Sequence, residues 1–160
     1  MNLEANLHET LREVARAMAD AKGDWWIIGS AAAALHGAGP IVVKDVDVLL
    51  GLDDARRVLA RLGLPASPGL PDGKFHSALF ATWRDNPLDV EFMADLKLCH
   101  DGKWLPVSLR TRQAFGIAGE VLHAPDREEL MALLASFGRP KDIARLRLLH
   151  ALPKGRYPGD

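Results

Sequence analysis

Apolar residues recur along the chain with two different spacings, and each spacing predicts a different kind of element. Residues 2–22 carry an apolar side chain every three or four positions, which predicts an amphipathic helix ending at Gly23. Residues 25–28 are apolar throughout, which predicts a strand covered on both faces. Residues 45–50 begin with acidic and apolar residues in alternation, which predicts a second strand with Val46 and Val48 facing the core.

The rest of the chain continues as a mixture of strands and helices. Residues 54–62 read as a helix, and residues 64–73, with three prolines and two glycines, read as a loop. Two strands, 77–84 and 88–93, flank a turn and predict an antiparallel hairpin. The remaining predictions are a short strand at 121–123, a helix that begins after Asp126 with Glu129 completing a capping box, and a last helix at 141–149; residues 94–118 give no clear pattern.

The first candidate chemistry lies at the ends of the first two predicted strands. Asp45 and Asp47 are alternate residues of a strand and therefore share one face, where two carboxylates repel each other unless a cation lies between them. Gly29 and Ser30 follow the first strand, and we predict that Ser30 caps a short helix over 31–36. A turn that opens a helix offers free N–H groups to a phosphate. Together these features indicate a metal-bound nucleoside triphosphate, with Lys44 beside the first aspartate as a phosphate contact or a solvated lysine.

This order of residues resembles the nucleotidyltransferase superfamily that shares the DNA polymerase beta-like fold. The matching residues are Gly29, Ser30, Asp45 and Asp47, and residues 29–37 look most like minimal nucleotidyltransferases and abortive-infection nucleotidyltransferase toxins. The resemblance implies an α/β (α+β) fold with a small mixed sheet flanked by helices. It also implies a third carboxylate on a later strand beside the Asp-x-Asp strand.

The third carboxylate has two candidates in this sequence. Asp89 and Glu91 alternate with apolar residues on the strand at 88–93, so they share one face. The resemblance implies that Asp45 and Asp47 hold two Mg²⁺ ions, with Asp89 or Glu91 completing the second ion's shell or acting as a base. The implied reaction transfers a nucleoside monophosphate from a triphosphate to a hydroxyl of a protein, a tRNA end or a small molecule, and releases pyrophosphate.

A second point of resemblance lies at the start of the last predicted helix. Residues 139–142 read Arg-Pro-Lys-Asp, and many toxin-like and antibiotic-modifying relatives have Arg-x-Lys-Asp there. Lys141 and Asp142 are therefore candidate nucleotide contacts, or else a salt bridge that begins the helix. Those relatives also carry a lysine on the preceding helix, where this chain has Leu134 or a neighbour. This difference motivates an alternative, a non-catalytic or partner-dependent module such as one component of a toxin–antitoxin pair, bound to a cognate antitoxin.

Length, charge and cysteine content restrict the class of protein. A chain of 160 residues suits one domain, which we place at residues 1–152 with a flexible tail at 153–160. The net charge of −1 gives no overall nucleic-acid signature, and a single cysteine, Cys99, fits a reducing compartment. We find no apolar run of about 18 residues and no basic, apolar leader. We therefore expect a cytoplasmic protein that does not enter the membrane.

Overall fold

The computed structural model of the protein describes residues 3–69 and 71–154, and these residues form five helices and nine strands. In chain order they are α1 (Ala5–Ala17), β1 (Trp25–Ile28), α2 (Gly29–Leu35), β2 (Asp45–Leu50), α3 (Leu52–Arg61), β3 (Phe75–His76), β4 (Leu79–Trp83), β5 (Asp89–Ala94), β6 (Lys97–His100), β7 (Lys103–Pro106), β8 (Gln113–Ile117), β9 (Glu120–Ala124), α4 (Arg127–Phe137) and α5 (Pro140–His150).

The central element is a mixed four-stranded sheet with the order β1-β2-β5-β4. β2 pairs with β1 antiparallel and with β5 parallel, and β4 returns antiparallel along β5. The predicted β4–β5 hairpin and the predicted small mixed sheet flanked by helices are therefore confirmed. A mixed sheet of this kind places two acidic strands, β2 and β5, side by side in parallel register.

The two faces of this sheet differ in polarity. One face is fully apolar and is covered by helices, with Ile27, Val46, Val48 and Val90 all 0% exposed. The other face is acidic at one end and apolar at the other. Its apolar end packs into a second, smaller core, whose buried members are Ile28, Leu49, Leu96, Leu133 and Phe137. The acidic end is left at the edge of that core, and this places the candidate site.

Residues 94–118 form strands that the sequence pattern does not reveal. β6 and β7 form a hairpin that pairs with β3 in a second sheet, while β8 pairs with β9. All four residues of β7 are exposed, so no alternation of apolar and polar residues marks this strand. The predicted strand 77–84 is shorter in the structure, where β4 begins at Leu79 and ends at Trp83.

Three predictions about helix ends are wrong, and in the first two a residue distant in the sequence provides the hydrogen-bond partner. α1 ends at Ala17, and the N–H groups of Lys22 and Gly23 donate to the carboxylate of Asp54. Glu129 accepts from the N–H groups of Arg110 and Thr111, so it does not complete a capping box with Asp126. Asp126 alone is confirmed as the cap of α4, since it accepts from the Glu129 N–H at 2.8 Å.

The third wrong helix end is at α2. The helix already begins at Gly29, which has a φ of +70°, and the residue in the cap position is Ile28. Ser30 lies inside the first turn and is 9% exposed, so it is not the cap that the sequence predicts. The left-handed backbone of Gly29 makes the bend from strand to helix within one residue, which leaves no place for a capping side chain.

Two predictions concern the ends of the chain, and both lie partly outside the described residues. The predicted helix start at residue 2 and residues 155–160 of the predicted tail lie outside the described residues, whereas the Pro153 carbonyl accepts from the Arg127 guanidinium at 2.8 Å. The longest described helix, α1, has 13 residues. No helix in the described part of the chain has both the length and the apolar character needed to cross a membrane.

Asp54 supports the fold, and its neighbour Asp53 provides a matched control. Burial acts to raise the pKa of Asp54, but the N–H groups of Lys22 and Gly23 and the Arg57 guanidinium outweigh it and lower that pKa. We expect Asp54→Ala to reduce the free energy of unfolding by roughly 2–3 kcal/mol, because the two backbone N–H groups and the Arg57 guanidinium lose a charged acceptor. Asp53→Ala, at a side chain that is 98% exposed, should change it by less than about 0.5 kcal/mol. Urea unfolding of both variants at pH 7 measures the difference; equal effects would contradict this role of Asp54.

Candidate active site

Three carboxylates from two adjacent strands meet at the acidic end of the sheet. Asp45 and Asp47 project from β2, and Glu91 projects from β5 on the same face. The parallel register sets Asp47 opposite Glu91. One carboxylate oxygen from each of the three residues lies within 4.8 Å of the other two. The predicted pairing of Asp45 with Asp47 on one face is thus present, and a third carboxylate joins them.

Asp89 lies one residue pair away from this cluster. It is opposite Asp45 in the register, but its side chain is 50% exposed and its carboxylate is 4.0 Å from the Nε atom of Arg84. Of the two candidates for the third carboxylate, the structure therefore brings Glu91 into the cluster and leaves Asp89 beside it.

Burial and mutual repulsion both disfavour the negative charges of this cluster. Burial, followed by the negative charges of Asp45 and Glu91, raises the pKa of Asp47 to about 8. Burial and Asp45 also raise the pKa of Glu91, and the cation of Lys141 opposes both shifts. The Oδ1 atom of Asp47 is buried and finds no hydrogen-bond partner among the described residues. A divalent cation would relieve both the repulsion and the missing partner.

The Gly-Ser turn packs directly against this cluster. Ile28, the residue before the turn, pairs with Asp47 in the register of β1 and β2. A Cβ atom at Gly29 would lie 3.1 Å from the Oδ2 atom of Asp47. Any other residue at this position would therefore require the Asp47 carboxylate to move. The start of α2 is therefore next to the site, as the sequence pattern indicates, although Ser30 is buried there.

The cluster lines a cleft of about 240 Å³ that also contains cationic and aromatic residues. The lining residues are Ile28, Asp45, Asp47, Asp72, Phe75, Phe80, Glu91, Met93, Leu96, Phe137, Arg139 and Lys141. Of the two lysines that the sequence predicts as phosphate or nucleotide contacts, Lys141 lines the cleft. Lys44 is exposed and does not line it. Asp142 is 1% exposed and both of its carboxylate oxygens accept from Arg139.

Arg139, Phe75 and Phe137 line the cleft but are not among the site residues that the sequence predicts. Arg139 is the first residue of the Arg-Pro-Lys-Asp stretch and was available as a signal. The two phenylalanines offer no such signal, because an isolated phenylalanine is ordinarily a core residue. Leu134, one of the positions at which the resemblance implies a lysine, is 0% exposed and belongs to the larger core.

Several solved structures have the same fold. A candidate nucleotidyltransferase of Thermotoga maritima, TM1012, is 23% identical with a TM-score of 0.69, over 86% of this chain and 88% of that one. The lincosamide antibiotic adenylyltransferase LnuA, with lincomycin bound, is 9% identical with a TM-score of 0.60, over 94% and 99%. ANT(2'')-Ia in complex with adenylyl-2''-tobramycin is 13% identical with a TM-score of 0.55, over 88% and 85%.

These similarities, together with the acidic strands, define the class of fold. The chain has the fold of the nucleotidyltransferase superfamily, as the sequence motif implies. No protein-family model matches the sequence, and a search of curated proteins gives no match. The three identities are below 25%, so the similarity is one of fold.

Proposed function

We propose that the protein transfers a nucleoside monophosphate from a nucleoside triphosphate to a hydroxyl acceptor, in a reaction that depends on Mg²⁺ and releases pyrophosphate. The observation that carries this proposal is the cluster of Asp45, Asp47 and Glu91 in one cleft with Lys141 and Arg139, within a nucleotidyltransferase fold. A metal-bound triphosphate is complementary to both groups of side chains. Its cation would bind the carboxylates, and its phosphates would bind the ammonium and guanidinium groups.

The ligand atoms in the cluster fit Mg²⁺. All are carboxylate oxygens, which hard cations such as Mg²⁺ prefer, and the unpartnered buried Oδ1 atom of Asp47 offers a ligand atom that the protein does not otherwise use. Asp45 and Asp47 would hold two ions, and Glu91 would complete the second. Bound there, the metals would act as Lewis acids on the phosphates and lower the pKa of the acceptor hydroxyl.

The chain's own residues would orient the triphosphate and manage its charge. The turn at Gly29 and Ser30 would offer backbone N–H groups to the phosphates. Lys141 and Arg139 would balance the phosphate charge, with Asp142 holding Arg139 in place. Lys44, which precedes Asp45 in the sequence, would be a further cation for the phosphates. Glu91, or Asp89 beside it, would serve as a base toward the acceptor hydroxyl if it is not bound to metal.

The acceptor class has partial support from the comparisons. LnuA and ANT(2'')-Ia are described with lincomycin and with adenylyl-2''-tobramycin, so a small hydroxylated molecule is the first acceptor class to test here. A protein or a tRNA end remains a further proposal for the same transfer. The NTP, as the donor, is common to all three.

Calorimetric titration with each of the four nucleoside triphosphates tests the donor half of the proposal. We expect wild type to bind at least one of them only when Mg²⁺ is present, and Asp47→Asn to lose that binding by about 100-fold, because one cation ligand is removed. Asp53→Asn, at a fully exposed side chain, serves as the control and should bind as wild type does. Binding to none of the four would reject this proposal and favour the alternative of a partner-dependent module.

A further inference from the structure

The turn that precedes β3 fixes the position of one cleft residue, Phe75. The Oδ1 atom of Asp72 accepts from the N–H of Lys74 at 2.7 Å and from the N–H of Phe75 at 2.6 Å. The Asp72 N–H in turn donates to the Phe75 carbonyl at 3.2 Å. A carboxylate that accepts from two successive backbone N–H groups closes the turn on itself. The backbone of Phe75 is thereby held at the edge of the cleft.

The ring of Phe75 lies against the guanidinium group of Arg139. The Cζ atom of Arg139 is 4.9 Å from the centroid of the Phe75 ring and 5.8 Å from that of Phe137. The two rings meet edge to face, with their centroids 4.9 Å apart at an interplanar angle of 87°. This geometry is favourable both for the ring pair and for a cation over the ring face. Arg139 thus has an aromatic support on one side.

Arg139 is held from a second direction by Asp142. Its Nε atom donates to one carboxylate oxygen at 2.7 Å and its Nη2 atom to the other at 3.1 Å. A guanidinium group has five N–H donors, so this bidentate pair does not use the two Nη1 donors of Arg139, a residue that lines the cleft. The aromatic support and the ion pair together restrict a side chain that otherwise loses considerable rotamer entropy when it binds a ligand.

We propose that Asp72 and Phe75 are positioning residues, which hold the Arg139 guanidinium ready for a phosphate group of the donor nucleotide. This rests on the proposed nucleotidyl transfer, and it adds that the loop before β3 determines how well the donor is bound. Phe80 lines the same cleft from β4, which makes it a matched control for an aromatic side chain that simply contributes to the cleft surface.

A double-mutant cycle separates positioning from packing. The ligand is the Mg²⁺-bound triphosphate that wild type binds most tightly. We expect Phe75→Leu to raise its dissociation constant about fivefold, the size of a typical cation–π contribution. Phe80→Leu should raise it by less than about twofold. Arg139→Lys keeps a charge for Asp142 but loses the planar group that stacks on Phe75. Phe75→Leu should therefore have no further effect on the dissociation constant in the Arg139→Lys background.

The turn itself is tested by two substitutions of Asp72. Asp72→Asn keeps an acceptor oxygen for the two N–H groups and should bind the nucleotide within about twofold of wild type, whereas Asp72→Ala should weaken binding about as much as Phe75→Leu does. Thermal unfolding of every variant is recorded alongside, since a loss of stability alone would not disappear in the Arg139→Lys background.

The outcomes distinguish this inference from the proposed function. Wild type that binds no triphosphate would overturn both. If wild type binds, two results would overturn the positioning role alone. One is that the losses of affinity in Phe75→Leu and Arg139→Lys multiply in the double variant. The other is that Phe75→Leu and Phe80→Leu lose the same affinity.

Discussion

Replacement of Glu91 by glutamine is expected to slow Mg²⁺-dependent cleavage of the donor triphosphate to monophosphate and pyrophosphate by about 100-fold, whereas Asp89→Asn should slow it less than about threefold. The reason is the register of β2 and β5, which brings Glu91 into the cluster with Asp45 and Asp47 and leaves Asp89 at 50% exposure beside Arg84. Both substitutions remove one negative charge from the same face of the same strand, so each is the control for the other.

The measurement uses water in place of the unidentified acceptor and follows pyrophosphate release. Binding of Mn²⁺, as a spectroscopic probe for Mg²⁺, is recorded by electron paramagnetic resonance so that a result does not depend on turnover. A larger loss in Asp89→Asn than in Glu91→Gln, for either cleavage or Mn²⁺ affinity, would show that Asp89 is the third ligand and that the strands shift when metal binds.

The choice between these two carboxylates illustrates what a single sequence lacks. Because side chains alternate between the two faces of a strand, Asp89 and Glu91 share a face, and so do Asp45 and Asp47. Which residue of one strand lies opposite which residue of the other depends on long-range pairing, and both registers are compatible with the alternation. The local half of the site was therefore predictable, whereas the third member required the pairing of β2 with β5.

The same distinction applies to the fold. β1, β2 and the β4–β5 hairpin were predictable because their apolar residues are buried in a regular pattern. β6 and β7 were not, since the hairpin lies at the surface and even Trp104 and Leu105 remain 41% and 50% exposed. Glu129 shows the limit of local rules for helix ends, because Thr111, a residue 18 positions away, takes the carboxylate that the capping box would have used.

A second large effect is expected in the stability of the metal-free protein. Asp47→Asn should raise the free energy of unfolding at pH 8 by several kcal/mol, with about 5 kcal/mol as the upper limit set by a pKa that rises from 3.8 to about 8, even though it removes a residue of the proposed active site. The buried carboxylate, close to Asp45 and Glu91, disfavours its own charge, as its pKa of about 8 indicates. An amide of the same shape carries no charge and avoids that repulsion.

The sign of the pH dependence follows from the two pKa values of Asp47. In the folded protein its pKa is raised from 3.8 to about 8, so between these values the folded state holds a proton that the unfolded state has released. The stabilising contribution of that proton is complete below pH 3.8 and is lost as the pH rises through about 8. The advantage of Asp47→Asn over wild type should therefore be near zero at pH 4, grow up to pH 8 and then level off.

Thermal unfolding of wild type and Asp47→Asn between pH 5 and pH 9, with and without Mg²⁺, measures this effect. In the absence of metal each kcal/mol of this difference at pH 8 corresponds to about 2–4 °C in midpoint temperature. Because Mg²⁺ would bind the ionised cluster of the folded wild type, it should raise the wild-type midpoint and remove most of the difference, while Asp47→Asn responds little. Asp53→Asn, which is fully exposed, should match wild type throughout. A metal-free Asp47→Asn variant that is less stable than wild type at pH 8 would mean that the Asp47 carboxylate has a favourable partner in the fold, which would remove the physical argument for a cation at this cluster.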